Sequence, residues 1–448
     1  MSERPRIAIW WARRDLRLED NHALFQALRS GDPVLPLFIF DTDILDKLED
    51  PADRRVDLIH RILGSLEHRL EERHGGLLVL HGRPIKVWTD LLTQYDIRSV
   101  FAANDHEPYG IARDKAVHDL LKAHGIPFHG VKDISIFERD EVLKDDGTPY
   151  LVFTPYMRRW RERFDPSLAE PYPSQDHLDR LHRTDPLSFP TLADIGYRPT
   201  DLALPELDAG RDLLKDYQDQ RNFPGERGNS HASVHLRFGT VSVRELVRRA
   251  LDVSHAYLNE LIWREFFMAI LYHHPRVVKE SFRPAYDAIE WVNDEEMFTA
   301  WCEGRTGYPM VDAGMRELAA TGLMHGRVRM VVASFLCKHL LVDHRWGEAW
   351  FAAKLLDFEL SSNNGNWQWC AGSGVDAAPY FRIFDPARQQ ERFDPQLKYV
   401  KHWVPELGTT NYARPIVVHQ EARRRALATY QAALKPGPLR APAKRTNR

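Results

Sequence analysis

Ile7–Trp11 (IAIWW) and Val34–Phe40 (VLPLFIF) decide the fold. Each is a short apolar run, too brief for an ordinary helix and without the alternation of a strand that wets one face. Leu77–Leu80 and Val100–Ala103 repeat the pattern, and amphipathic helical stretches separate the runs. Strands buried on both faces belong to a parallel sheet wrapped by helices, so residues 1–135 are expected to form an α/β, Rossmann-like domain. Ligands on such sheets bind beyond the carboxyl ends of the strands, which makes Arg13, Arg14, Asp41 and Asn104–Tyr109 candidate rim residues. No G-x-G-x-x-G follows the first strand, and ordinary solvated loop charges would explain the rim equally well.

Outward from that sheet the pattern changes twice. Residues 136–205 are rich in Pro, Asp and polar side chains and read as a connector packed over the surface. Within it Gly147–Trp160 (GTPYLVFTPYMRRW) is aromatic enough to dock on a domain. From 206 to 435 apolar residues recur at three and four spacing, as in Leu258–Tyr272, Val311–Thr321 and Val328–Leu341, so a large all-α domain is expected. The basic, proline-containing tail, residues 436–448, is expected to be disordered.

At 448 residues and 43% hydrophobic content the chain is long enough for two or three domains. It has no apolar run of membrane-spanning length and no signal-like N-terminus, so membrane insertion and secretion are not expected. Three widely spaced cysteines (Cys302, Cys337, Cys370) suit a reducing, cytoplasmic compartment and make disulfides or a zinc site improbable. A net charge of −3 argues against a uniformly basic nucleic-acid binder but leaves room for a local basic groove. Eight of the twelve tryptophans lie beyond residue 250. Chemistry is therefore to be sought in the helical half.

Four constellations there could carry it. In Asn229–Ser242 (NSHASVHLRFGTVS), Asn229 and Ser230 precede a helical pattern, where they either cap the helix or help its free N–H groups bind a phosphate. Glu260, Trp263 and Arg264 stand at i, i+3 and i+4, placing a carboxylate, an indole and a guanidinium on one helix face. A plain ion pair beside a core tryptophan would look the same. In Met324–Met330 (MHGRVRM), Arg327 and Met330 share a face while Arg329 points elsewhere. Asp357–Trp369 (DFELSSNNGNWQW) places turn-forming Asn363-Asn364-Gly365-Asn366 between an apolar helix and two tryptophans, a cluster that would cost folding free energy unless something polar and flat filled it.

With these segments in view, the chain resembles the cryptochrome and photolyase family, and within it the class I cyclobutane pyrimidine dimer photolyases. The resemblance runs from WWARRDLRLEDNHAL (10–24) through GNSHASVHLRFG (228–239), LNELIWREFF (258–267) and TGYPMVDAGMRELAATG (306–322) to NNGNWQWCAGSGVDAAPYFRIFDP (363–386). It implies an N-terminal α/β antenna domain, a helical domain holding FAD, and light-driven repair of pyrimidine dimers in UV-damaged DNA by a monomeric enzyme. A cryptochrome-like photoreceptor without repair activity is the alternative.

Residue by residue, the resemblance implies that Tyr217, Asn229, Ser230, His231, Ala232 and Ser233 bind the FAD phosphates. It implies that Asp357 and Glu359 are acids near the flavin, that Arg329 pairs with the first of them, and that Asn363 faces the flavin ring. Asparagine at 363 favours repair over a signalling role. Glu260, Trp263, Met330 and Trp369 match the pocket for a flipped dimer, and Arg221, Arg264, Arg327, Arg382 and Gln389 are expected on the damaged strand.

Three departures stand out. Trp367 and Trp291 match the inner and outer members of the family's electron-carrying tryptophans, but His344 stands where the middle one belongs, leaving a detour through Trp346 and Trp350 as the expectation. Gly326 occupies a position where an Asn or His would contact the lesion. The segment NDHEPYGIARD (104–114) lacks the Asn and Glu of a folate site, which favours a deazaflavin-type second chromophore, or none.

Overall fold

The computed structural model describes residues 4–184, 187–202 and 204–434, so the tail expected to be disordered lies outside the described residues. Five parallel strands make one sheet in the order β3-β2-β1-β4-β5: Arg6–Trp11, Val34–Asp41, Leu78–Gly82, Asp96–Ala103 and Phe128–Val131 for β1 to β5. All eight residues of β2 are buried, as the unbroken apolar run requires. Ile9 pairs with Leu35 on one side and Val100 on the other, so β1 is the sheet's centre. Strand order reverses between β1 and β4, which puts the crevice for ligands beside Arg13 and Asn104. The sequence did not announce β5. FHGV is a half-exposed edge strand with a glycine and no apolar run.

The chain forms two compact units. One runs to Pro275 and takes in Thr321–Leu323 and Ala352–Ser362; the second comprises Arg276–Ala320, Met324–Phe351 and the described residues from Asn363 onward. In the first unit the aromatic segment of the connector is a helix, Phe153–Arg163, with Phe153, Tyr156 and Trp160 buried. Trp160 Nε1 donates to Glu265 Oε2 at 2.6 Å, which docks that helix on the long helix His255–His273.

Two expectations for the second unit are corrected. Val328–Leu341 is not one regular helix: Gly326–Ser334 is α-helical, Phe335–Leu340 winds as a π-helix, and Leu341 ends it at φ 52°. Every side chain of the π segment is buried, so apolar spacing could not reveal the change of pitch. Even Lys338 is inside, donating to Ala371 O at 2.8 Å with its ammonium 3.6 Å from the Tyr430 ring centre, and burial pulls its pKa down to about 7. The supposed Asn-Asn-Gly-Asn turn is the interior of helix Leu360–Ala371. Asn363 Nδ2 donates to Glu348 O at 3.0 Å, and Asn364 Nδ2 donates to Val277 O at 2.9 Å and to Glu348 Oε1 at 3.0 Å. These tertiary partners remove the local competition that makes asparagine a poor helix former.

Candidate functional site

In the first unit the rim of the sheet is lined by side chains that pair with one another. Arg13 bonds Asp114 and Ala103 O and lies over Trp11, its guanidinium carbon 4.6 Å from the ring centre. Arg113 also covers Trp11, at 5.1 Å, and the Tyr109 hydroxyl donates to Asp41 at 2.6 Å. Asn104 Nδ2 donates to Glu138 Oε2 at 2.8 Å.

Beside that rim sits a buried ion network. Glu359 bonds Arg14 and receives Arg264 Nη2 at 2.9 Å and Nε at 3.1 Å. Arg264 also donates to Ile134 O at 2.6 Å, and Arg14 reaches Glu107 at 3.2 Å. Burial would raise the Glu359 carboxyl, but Arg264 and Arg14 overcome it and hold the group well below the usual carboxylate range. Arg237 is half-buried in the same field, and desolvation together with Arg14 brings it down to about 10. Sequence reading did not single out Arg237. Arg264, expected on a DNA backbone, has a side chain 11% exposed and bonded to Glu359 and Ile134 O.

A cavity of about 420 Å³, counting the part open to solvent, lies next to this network, lined among others by His106, Glu138, Tyr272 and Glu265. Burial raises both acids to about 7, in Glu138 against the Asn104 amide and in Glu265 against the Ile136 N–H, the Trp160 indole and the Phe137 N–H.

The start of helix Ala232–Phe238 gathers the residues expected on a phosphate. Asn229 Oδ1 accepts the His231 N–H at 3.0 Å, Ser230 Oγ accepts the Ala232 N–H at 3.3 Å, and His231 takes a left-handed φ of 54°. Asn229 and Ser233 stay exposed on either side of buried Ser230 and Ala232. Burial lowers the His231 pKa while the Asp208 and Asp357 carboxylates oppose it, which places Asp357 in the field of this turn. Tyr257 Oη donates to Ser230 Oγ at 3.2 Å, and its ring meets Tyr217 edge-on at 5.0 Å. Hydroxyls and backbone donors at a helix start, with carboxylates nearby, suit a dinucleotide that carries both phosphate and ribose.

Glu260 and Trp263 form a separate, wetter face. Glu260 pairs with Arg221 at 2.6 Å, 38% and 30% exposed respectively, and Arg221 lies over Tyr217 at 5.4 Å. Half-buried Trp263 stacks on Phe153, centroids 3.7 Å apart and planes at 6°. Phe153 comes from the connector helix, a partner that sequence reading did not foresee.

In the second unit, Arg327 Nη1 lies 3.5 Å from Met330 Sδ and its guanidinium covers Phe393 at 4.5 Å, while Arg329 Nε donates to Met324 O at 2.8 Å. The two arginines thus diverge, as their spacing predicts. Trp369 is half-buried, Arg382 exposed, and Gln389 Oε1 is buried without a hydrogen bond among the described residues. Trp291 and His344 are neighbours with ring centres 6.3 Å apart. Trp346 and Trp350 both meet Phe298, at 5.2 and 6.4 Å.

Comparison with known proteins decides the family. The chain is 35% identical to a deoxyribodipyrimidine photo-lyase of Halobacterium salinarum over 95% of its own length and 99% of that protein's. The chain belongs to the DNA photolyase family. The family profile described as DNA photolyase matches residues 8–174, and the one described as the FAD binding domain of DNA photolyase matches residues 257–410. Among solved structures, a bacterial class III photolyase from Agrobacterium tumefaciens superposes with a TM-score of 0.87 at 34% identity, covering 97% of this chain and 98% of that one. An archaeal photolyase from Sulfolobus tokodaii, solved with two FAD molecules, has a TM-score of 0.83 at 34% identity, with 95% and 99% covered. The α/β sheet and the helical FAD-binding region expected from sequence are those of this family. Among the described residues no helix is long and apolar enough to cross a membrane, and no group of three or more His, Cys, Asp or Glu could hold a metal ion.

Proposed function

We propose that this chain repairs cyclobutane pyrimidine dimers in DNA with light. What carries the reading is the match, over nearly its full length, to proteins named deoxyribodipyrimidine photo-lyase, joined to an acid and an indole left half-exposed at Glu260 and Trp263. Bound FAD supplies the electron that light drives into the dimer. The chain's own residues hold the two partners.

For FAD we assign Tyr217, Asn229, Ser230, His231, Ala232 and Ser233 to the phosphates, Asp357 and Arg329 to the flavin edge, and Asn363 to its ring. Glu359 acts on these as a positioning residue: clamped by Arg14 and Arg264, it fixes the segment between Asp357 and Asn363. Asn363 uses one amide hydrogen on Glu348 O, which orients the rest of the group.

For the lesion we assign Glu260 to the pyrimidine edge and Trp263, Met330 and Trp369 to its faces. A dimer already unstacked from its neighbours is cheaper to extrude than an intact pair, and each aromatic contact recovers about 1–3 kcal/mol per base. Arg221, Arg327, Arg382 and Gln389 serve the damaged strand's backbone, where positive charge adds affinity and salt sensitivity without sequence readout. Glu260 releases Arg221 for this at little cost, because the pair is part-exposed.

A second chromophore of the deazaflavin or flavin type, rather than folate, is assigned to the crevice between β1 and β4. Trp11 and Tyr109 there carry the cations Arg13, Arg113 and Lys47 over their rings, a setting suited to a flat anionic heterocycle. Chromatography of the chromophores released by denaturing the purified protein tests it; folate would overturn the assignment.

The repair reading is tested by illuminating the reduced protein with dimer-containing oligothymidine. Thymine absorbance should recover. Full reduction without recovery would refute the proposal.

A further inference from the structure

The second unit contains an aromatic chain that the family resemblance did not assign. Trp301 is fully buried and meets Trp367 edge-on, with centroids 6.2 Å apart and planes at 70°. Phe298 stacks on Trp301 at 5.8 Å and 20°, and meets Trp346 at 5.2 Å. Phe351 lies 5.0 Å from Trp367 and 6.2 Å from Trp301, filling the angle between them. The Trp367 ring packs directly against Gly347, where an added Cβ would come within 2.1 Å of it. His344, by contrast, touches Trp291 but makes no ring contact with Trp367 among the described residues.

We infer that Trp301 is the relay that returns electrons to Trp367 in this chain, with Trp346 as the exit and Phe298 as the bridge between them. The inference rests on the assignment of Trp367 as the inner electron carrier. Three physical arguments support it. Electron exchange between side chains falls steeply with separation, and among the described residues Trp301 is the indole in ring contact with Trp367. Indole is far easier to oxidise than imidazole or phenyl, so His344 is a poor carrier and Phe298 carries no stable charge. The proton inventory also sets a direction. Trp301 Nε1 donates to Val332 O at 3.1 Å in a buried site, so an oxidised Trp301 keeps its proton and stays reducible. Trp346 is half-buried, where water can take the proton.

The steps balance. Trp367, having lost one electron to the light-excited flavin that the proposed site would hold, regains it from Trp301; Trp301 regains one from Trp346; the oxidised Trp346 releases its N–H proton to water. A thiol in solution then returns one hydrogen atom to that indole and leaves as a thiyl radical.

The test uses the full-length, FAD-loaded protein and its Trp367→Phe, Trp301→Phe, Trp346→Phe and Trp291→Phe variants, with Trp301→Phe also combined with His344→Trp. Photoreduction is followed under blue light with excess thiol. Flash photolysis of the indole radical, flavin content and thermal unfolding are read in parallel. A nitroso spin trap followed by peptide mass spectrometry locates the radical. Trp301→Phe and Trp346→Phe should each slow photoreduction by about tenfold or more, and Trp291→Phe by less than about twofold. The spin trap should mark Trp346, and His344→Trp should restore the Trp301→Phe protein. Loss in Trp291→Phe with a normal rate in Trp301→Phe overturns the relay alone. A normal rate in Trp367→Phe overturns the assignment of Trp367 and the relay with it. If Trp301→Phe fails to fold, Trp346→Phe decides: an unchanged rate with the adduct elsewhere overturns the route.

Discussion

Glu359 and Glu260 each pair with arginine, yet the two sites differ in almost every physical respect. Glu359 is 6% exposed and shared between Arg14 and Arg264; Glu260 is 38% exposed and pairs with Arg221. The first pairing joins the loop after β1, the long helix and the segment before Asn363, three places far apart in sequence. The second links the end of one helix to its neighbour. A carboxylate that holds a framework must be costly to release, and one that meets a substrate must be cheap to release. Burial, rather than the residue pair, sets the difference.

The comparison breaks most visibly at Glu359. Glu359→Gln leaves Arg264 in a buried site without its carboxylate and Arg14 with Glu107 and Asp105 only, which should lower stability by about 3–5 kcal/mol. Denaturant titration measures the loss, and flavin content should fall with it. A loss below about 1 kcal/mol would mean that the network is solvated and that the two sites do not differ in kind.

Glu265 sharpens the contrast because its acid is displaced in the opposite direction. Burial raises it from 4.5 to about 7, so between those values the folded protein holds a proton that the unfolded chain has lost. Its contribution to stability is therefore complete below about pH 4.5 and declines as pH rises to about 7. Glu359 is depressed, so its contribution is complete above the ordinary glutamate range and is lost as pH falls below it. Glu265→Gln should cost about 1–3 kcal/mol, since an amide NH₂ would face one of three N–H donors. It should also flatten the decline between pH 4.5 and 7 in denaturation measured across that range. An unchanged slope would place the titrating group elsewhere, with Glu138 the next candidate.

These sites also show what the sequence could and could not disclose. Strands β1, β2 and β4 were legible because burial on both faces leaves unbroken apolar runs, and the edge strand β3 because Leu77–Leu80 is apolar although only part-buried; β5, the other edge, has no such run. The Glu260 and Trp263 face was legible because helical spacing alone puts the two together. The partner of Arg264 was not legible, since the same spacing cannot tell a groove from an interior, and Glu359 lies 95 residues away in the chain. Asn363 and Asn364 read as a turn because their helix-stabilising partners, Glu348 and Val277, are supplied by folding. Trp301 was visible as one more tryptophan, but its contact with Trp367 was not.

Glu260→Ala tests the other side of the comparison. Removing a part-exposed pair should change stability by less than about 1 kcal/mol. Binding of a dimer-containing oligonucleotide, measured by fluorescence anisotropy in the dark, should weaken with no change in flavin content. Equal losses of lesion affinity and flavin would move Glu260 from the lesion to the cofactor.

The smallest effect on the fold is expected at Gly326, and there stability and function should separate completely. It is the first residue of helix Gly326–Ser334, and a Cβ added to it meets nothing within 4 Å. Gly326→Asn should therefore fold normally, gaining a few tenths of a kcal/mol at most from better helix propensity. If Gly326 lies at the lesion as the family pattern implies, the new amide supplies a hydrogen bond worth about 0.5–1.5 kcal/mol in dimer affinity. The same anisotropy assay reads it. Tighter binding at constant stability would place this helix start at the lesion, because a residue in open space can alter affinity only through what binds there. Unchanged affinity would remove Gly326 from the pocket and leave Glu260 and Trp263 as its defining face.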